Sequence, residues 1–167
     1  MSDLYIELLV KKKRAPKDTF LKGLMITATV LFVLTGIVIN FLFLIPGLVM
    51  LVLDYFFVPT FDLEYEYLYV NGELDIDKIM SKQKRKRVAR YDMKNVELVA
   101  PKISHDLDSY KNNKNLKVRD FSSQDENAKV FGMVIKGDKA MELVYFEPND
   151  AILKDMQRIA PRNVKLY

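Results

Sequence analysis

The stretch that decides the fold is Gly23–Leu53, GLMITATVLFVLTGIVINFLFLIPGLVMLVL, thirty-one consecutive residues without a charge. A helix that spans a bilayer needs about 20 apolar residues, so the stretch is too long for one crossing and fits two short ones. We expect the first helix at Phe20–Ile39, the second at Pro46–Phe61, and a tight turn at Asn40–Ile45. Pro46 suits a first helical turn because it lacks an N–H that would have no partner there.

Two other interpretations of this stretch are weaker. A single long helix would place Asn40 and the Pro46-Gly47 pair inside lipid, where nothing nearby satisfies their polar groups. A cleaved signal peptide has a shorter apolar region followed by small residues at the cleavage site, and neither feature is present. The sequence therefore favours a hairpin of two spans over residues 20–61.

Basic residues flank only one end of the predicted hairpin. Lysines and arginines close to the spans mark the cytoplasmic side, and the far turn at Asn40–Ile45 has none. We therefore expect a cell-membrane protein with both termini in the cytoplasm. The absence of cysteine fits a reducing compartment without excluding export. The basic residues that precede or open the first span are Lys11, Lys12, Lys13, Arg14, Lys17 and Lys22.

Residues 1–19 form a basic segment with two open interpretations. Leu4, Leu8 and Leu9 share one face of a helix, and a helix of this kind followed by basic residues can lie in the membrane interface. The other interpretation is a solvated tail whose charges only set the topology.

Asp54 is the only acidic residue in the apolar region. An ionisable group in a span is costly and suggests a function. We expect Asp54 to reach headgroup water, or to pair with Lys22 or with another helix, rather than to transport ions. Gly36 and Gly47 could allow the hairpin to associate with a second copy.

The pattern changes from continuous to alternating after Phe61. Tyr65, Tyr67 and Tyr69 share one face of a strand and are expected in the core, with their hydroxyls at the rim. Asn71-Gly72 is a strong hairpin signal, since both residues accept positive φ. About seven strands follow from such patterns, at Leu63–Tyr69, Glu73–Asp77, Lys84–Tyr91, Asn95–Ala100, Leu116–Phe121, Ala128–Lys136 and Ala140–Phe146.

The segment ends in a helix instead of a strand. Asn149 is a good N-cap, apolar residues recur at helical spacing after it, and Pro161 ends the pattern. The predicted fold is therefore α+β, with a transmembrane hairpin at residues 20–61 and a cytoplasmic domain at residues 62–167. An antiparallel barrel closed by a C-terminal helix is a pleckstrin-homology-like (PH-like) architecture.

Three motifs also support a family resemblance. Glu64-Tyr65-Glu66-Tyr67, Asn71-Gly72-Glu73-Leu74-Asp75-Ile76-Asp77-Lys78-Ile79 and Lys84-Arg85-Lys86-Arg87 resemble a family of small bacterial membrane proteins of unknown function. A two-span hairpin followed by such a domain is similar to bacterial membrane proteins with PH-like domains. The resemblance implies a fold and a membrane setting, and it implies no activity.

A basic cluster is the main candidate for binding. Each Lys or Arg near an anionic leaflet can contribute about 1 kcal/mol, so the cluster could hold the domain against lipid. It could also receive an acidic protein, or be a solvated edge that discourages strand pairing. The residues assigned to this predicted lipid- or partner-binding site are Lys82, Lys84, Arg85, Lys86, Arg87 and Arg90.

The remaining polar residues do not predict catalysis. Glu73, Asp75 and Asp77 alternate along a strand, which cannot wrap a calcium ion, so we expect a solvated face with cross-strand pairs to Arg85 and Arg87. His105 is expected on a surface loop. No catalytic motif is present, so we predict no enzyme activity, no cofactor and no metal. We do not expect nucleic acid as a target, because the cluster lacks stacking aromatics.

The sequence thus predicts a non-catalytic, membrane-anchored PH-like interaction module that docks on anionic lipid or an acidic partner. The alternative is a small accessory subunit of a larger membrane complex, in which Asp54 would pair with a helix of another protein.

Overall fold

The computed structural model describes residues 4–137 and 141–167, which divide into two compact units. The first, here called the hairpin unit, consists of residues 13–63 and 80–84. The second, the domain unit, contains the rest of the described chain. Ala140, the first residue of the strand predicted at Ala140–Phe146, lies outside the described residues.

The hairpin unit contains two antiparallel helices close to their predicted positions. α1 runs over Pro16–Val38 and α2 over Leu44–Phe57, followed by a 3₁₀ turn at Val58–Phe61. α1 begins four residues earlier than predicted, because Pro16 is well suited to a first helical turn. The predicted tight turn is a 3₁₀ helix at Phe41–Phe43, which the Asn40 side chain caps by accepting a hydrogen bond from the Leu42 N–H.

Both helices are long and apolar enough to cross a membrane by their length and composition. The two segments are Pro16–Val38, with 23 residues, and Phe41–Phe61, with 21 residues. Most of their apolar side chains are exposed, whereas Thr29, Gly36 and Gly47 are buried at the contact between the helices.

Eight strands in the described residues form two open four-stranded sheets in place of the closed barrel that we expected. The first sheet has the order β1-β2-β3-β4 and the second has the order β5-β7-β8-β6. The strands are β1 (Tyr5–Lys11), β2 (Leu63–Val70), β3 (Glu73–Met80), β4 (Lys84–Asp92), β5 (Val96–Pro101), β6 (Lys117–Asp120), β7 (Phe131–Lys136) and β8 (Met141–Phe146).

The interpretation of the N-terminal segment as an interfacial helix is wrong, because Tyr5–Lys11 is strand β1. It pairs antiparallel with β2, from Tyr5 opposite Val70 to Lys11 opposite Glu64. Its side chains alternate, so that Val10 enters the core while Leu9 is exposed. The hairpin is therefore inserted between two neighbouring strands of one sheet.

The tyrosines of β2 lie in the core, as predicted. Tyr67 and Tyr69 are fully buried, and Tyr65 is nearly so. The Tyr67 hydroxyl donates to the Phe121 carbonyl at 2.8 Å, and the Tyr69 hydroxyl donates to Asp155 at 2.9 Å. The expectation that these hydroxyls reach the rim is wrong for Tyr67 and Tyr69, whose hydroxyls are buried and have the partner that burial of a polar group requires.

Two short helical regions and a terminal helix complete the domain unit. The predicted loop at residues 101–115 contains a 3₁₀ turn at His105–Leu107 and a short helix, α3 (Asp108–Lys111). This loop is ordered because Leu107 is fully buried in the second sheet's core. The predicted C-terminal helix is α4 (Asp150–Ile159), and Asn149 caps it as expected.

Candidate functional site

The six basic residues predicted as one site belong to two different units. Lys82 and Lys84 lie in the hairpin unit, whereas Arg85, Lys86, Arg87 and Arg90 lie in the domain unit. The turn between β3 and β4 is tight, with positive φ at Ser81 (47°) and at Lys82 (58°). Non-glycine residues rarely adopt this conformation, so the surrounding contacts must hold the turn.

The three arginines are paired with acidic residues of the same sheet. Arg85 pairs with Glu66 and lies 4.0 Å from Asp77, and Arg87 lies 3.6 Å from Asp77. The cross-strand pairs predicted for Arg85 and Arg87 are therefore present. Two further acids receive the remaining contacts, Asp75 at 3.3 Å from Arg87 and 3.2 Å from Arg90, and Glu73 at 2.6 Å from Arg90. Much of the positive charge expected on β4 is thus offset within the chain.

The acidic face of this sheet is less solvated than predicted. Asp77 is only 5% exposed and Glu66 only 2% exposed, because the long arginine side chains lie across them. Burial raises the pKa of Glu66, and the nearby Glu7 carboxyl adds to this rise while Arg85 opposes it. The expectation of a solvated face is therefore wrong for Asp77, although Glu73 is half exposed.

The two lysines of the hairpin unit have a different environment. The Lys84 ammonium lies 4.5 Å from the centre of the Tyr55 ring and 5.9 Å from that of Phe56, within the range of cation–π attraction. The Ser81 N–H donates to the Asp62 carbonyl at 2.8 Å, and its hydroxyl donates to the Pro59 carbonyl at 3.4 Å. These contacts hold the basic turn at the end of α2.

Asp54 makes its hydrogen bond inside the hairpin. Its Oδ2 accepts from the Thr29 hydroxyl of α1 at 2.7 Å, and that hydroxyl also lies 3.1 Å from the Met25 carbonyl. The other carboxylate oxygen, Asp54 Oδ1, is buried, and no described residue donates a hydrogen bond to it. Thr29 was not identified from the sequence, although two polar residues at matching depths of an antiparallel hairpin indicate a contact between its helices.

The glycines considered for self-association are used within the hairpin. A Cβ atom at Gly36 would lie 2.8 Å from the backbone nitrogen of Leu44, and one at Gly47 would lie 3.2 Å from a methyl group of Val33. Small residues allow two helices to approach closely. Gly36 and Gly47 therefore face the neighbouring helix of the same chain, and association with a second copy through them is not supported.

Two further features of the described residues are His105 and a groove beside α4. His105 is fully exposed and lies 2.9 Å from Asp108, as expected of a surface residue. Within the described ranges, no group of three or more metal-ligating side chains is close enough to hold an ion. A groove of about 740 Å³ lies beside α4, and its lining mixes lysines, acids and apolar residues without a serine, threonine, cysteine or histidine.

Comparison with known proteins places the chain in a family. The family model described as "Bacterial PH-like domain (DUF6106)" matches residues 2–166, so the chain belongs to this family of bacterial PH-like domains. The predicted resemblance is therefore confirmed. Searches of curated proteins and of solved structures gave no match. A PH-like domain in general supports a non-catalytic interaction module.

Proposed function

We propose that this PH-like protein is a non-catalytic interaction module anchored in the cell membrane by the α1–α2 hairpin. Both termini face the cytoplasm, and the turn with Lys82 and Lys84 contacts anionic lipid headgroups. Within the predicted basic site, lipid contact is assigned to Lys82 and Lys84 and does not require the arginines of β4.

The observation that carries the proposal is the attachment of the basic turn to the end of α2. Tyrosine is favoured at membrane interfaces, and lysines near helix ends extend their ammonium groups to the headgroups. Lys84 lies against Tyr55 and Phe56, and the exposed Lys82 belongs to the same turn. Both ammonium groups are therefore near the level at which lipid phosphates are expected.

Charge pairing on β4 favours lipid over an acidic protein as the ligand. An acidic partner bound to β4 would have to compete with the acids that already contact Arg85, Arg87 and Arg90. Lys82 and Lys86 are exposed and form no ion pair with another described residue, and the contacts of Lys84 within the described residues are with Tyr55 and Phe56. Strand β4 therefore offers less unpaired charge to a protein than its sequence suggests.

The orientation follows from charges on either side of the hairpin. Lys13, Arg14 and Lys17 lie close to the start of α1, and Arg14 is 2.8 Å from Asp62, which follows α2. The far turn at Phe41–Phe43 contains no basic residue. By the positive-inside rule, the end with the basic residues is cytoplasmic.

Brominated lipids can test this lipid contact in the full chain. The protein has no tryptophan, so Phe57→Trp provides a single fluorophore at the end of α2. We expect brominated phosphatidylglycerol to quench it more strongly than brominated phosphatidylcholine, since Lys82 and Lys84 enrich anionic lipid nearby. High salt should reduce the difference by screening.

Matched variants identify the residues responsible. Lys82→Gln with Lys84→Gln should lower the preference for phosphatidylglycerol several-fold, because each lysine contributes about 1 kcal/mol or less. Lys129→Gln with Lys154→Gln changes the net charge equally at exposed positions elsewhere and should leave it unchanged. If both double variants lost the same amount of preference for phosphatidylglycerol, or if neither lost any, the proposed contact would be contradicted. The accessory-subunit alternative would then be favoured.

A further inference from the structure

Strand β1 has an open edge. It pairs with β2 on one side, and the order β1-β2-β3-β4 leaves no described strand on its other side. Its outward side chains include Tyr5, 61% exposed, and Leu9, 53% exposed. An edge strand with exposed apolar side chains is a template for pairing with another strand.

The charges on β1 are arranged asymmetrically along the strand. Glu7 lies near the first end, where it accepts a hydrogen bond from the Tyr5 hydroxyl at 3.2 Å and lies within hydrogen-bonding reach of Glu66. Lys11 lies at the other end, 56% exposed and only loosely paired with Glu64 at 4.0 Å. The strand therefore has surplus negative charge at one end and an accessible cation at the other.

We propose that β1 pairs antiparallel with β1 of a second copy of this chain, in a register centred on Leu9. In this register, Glu7 lies directly opposite Lys11 of the second copy, and the same pair recurs by symmetry. Leu9 lies opposite Leu9, which covers its exposed side chain, and Leu8 lies opposite Val10. Two four-stranded sheets thus join into one across a twofold axis, as in a self-complementary interface.

The charges select this register over its neighbour. Centred on Leu8, the pairing would place Glu7 opposite Leu9 and diagonal to both Glu7 and Lys11 of the second copy, so no acid of β1 would lie directly opposite a base. Directly opposed unlike charges stabilise an antiparallel pair, and only the register centred on Leu9 provides two such pairs. The register centred on Leu9 brings each Lys11 to Glu7 of the other copy, a carboxylate that has no ion pair with a cation among the described residues.

The lack of cysteine makes cross-linking a direct test. Leu9→Cys in the full chain, reconstituted in lipid vesicles, places two thiols opposite each other on the twofold axis. Opposed residues in an antiparallel pair have Cβ atoms about 4.5–5.5 Å apart, close enough for a disulfide after a small adjustment. We expect mild oxidation to give covalent dimers. The matched control is Val118→Cys, which is equally exposed at 55% on β6 and should give none.

A charge exchange separates the proposed register from random collision. Glu7→Lys or Lys11→Glu in the Leu9→Cys background should lower the dimer yield about fivefold, since each creates two like-charge pairs. The double exchange restores opposite charges and should recover the yield. Cross-linking at Leu9 no higher than at Val118, or no recovery in the double exchange, would overturn the proposal.

Discussion

At the scale of single residues, the hydroxyls of Tyr67 and Tyr69 are buried in the domain unit, so each needs a hydrogen-bond partner. Tyr69 donates to the buried Asp155, which Arg158 neutralises at 2.6 Å, and Tyr67 donates to a backbone carbonyl. Burial raises the pKa of Tyr65, Tyr67 and Tyr69. Each of these hydroxyls is therefore held in its neutral form.

Tyr91 provides a pH prediction with a defined window. Burial raises its pKa from 10.0 to about 12, with Arg119 opposing the rise. Because the folded pKa lies above the unfolded value, the neutral form contributes stability that is fully present below pH 10 and lost as the pH rises toward 12. The melting temperature should therefore fall across this window.

Two measurements check this prediction. The tyrosinate absorbance of the native protein should rise at higher pH than that of the unfolded chain. Tyr91→Phe should make the melting temperature depend less steeply on pH between 10 and 12. Tyrosinate formation at the same pH in both states would contradict the prediction.

At the scale of elements, the hairpin combines close approach near its turn with a polar contact nearer its base. Gly36 and Gly47 allow α1 and α2 to pack closely, and Thr29 donates to Asp54 further from the turn. In lipid, association of helices depends on packing and hydrogen bonding because the hydrophobic effect does not distinguish helix from lipid.

Gly36→Ala should therefore destabilise the hairpin. Its Cβ would lie 2.8 Å from the Leu44 backbone nitrogen and closer still to the Leu44 side chain, and such overpacking costs about 1–3 kcal/mol. Gly23→Ala is the matched control on the same helix, since its Cβ would have no neighbour within 4 Å. Thermal unfolding in detergent micelles compares the two, and equal melting temperatures would show that the contact at Gly36 does not limit packing.

At the scale of the whole molecule, local patterns were predictable and distant pairings were not. The strands from β2 to β8 and helix α4 lie close to their predicted positions because alternation, turn residues and caps are local signals. Strand β1 was missed because its partner β2 follows the hairpin, and its leucines also match one helical face. The arginine pairs were foreseen from adjacent strands, whereas Thr29 and Asp54 are 25 residues apart. The orientation in the membrane and the lipid contact remain predictions.

The inserted position of the hairpin leads to a prediction about the domain. Lys11 lies opposite Glu64, so the same register brings Lys12 opposite Leu63. Replacing residues 13–62 with Asn-Gly should then join β1 to β2 by a two-residue turn. We expect this chain to fold without a membrane and to unfold cooperatively on heating.

Residues 62–167 alone lack β1, which contributes Val10 to the core, and expose the edge of β2. They should unfold at a much lower temperature or aggregate. If both chains melted at the same temperature, β1 would not be part of the stable domain, and the hairpin would precede the domain rather than interrupt it.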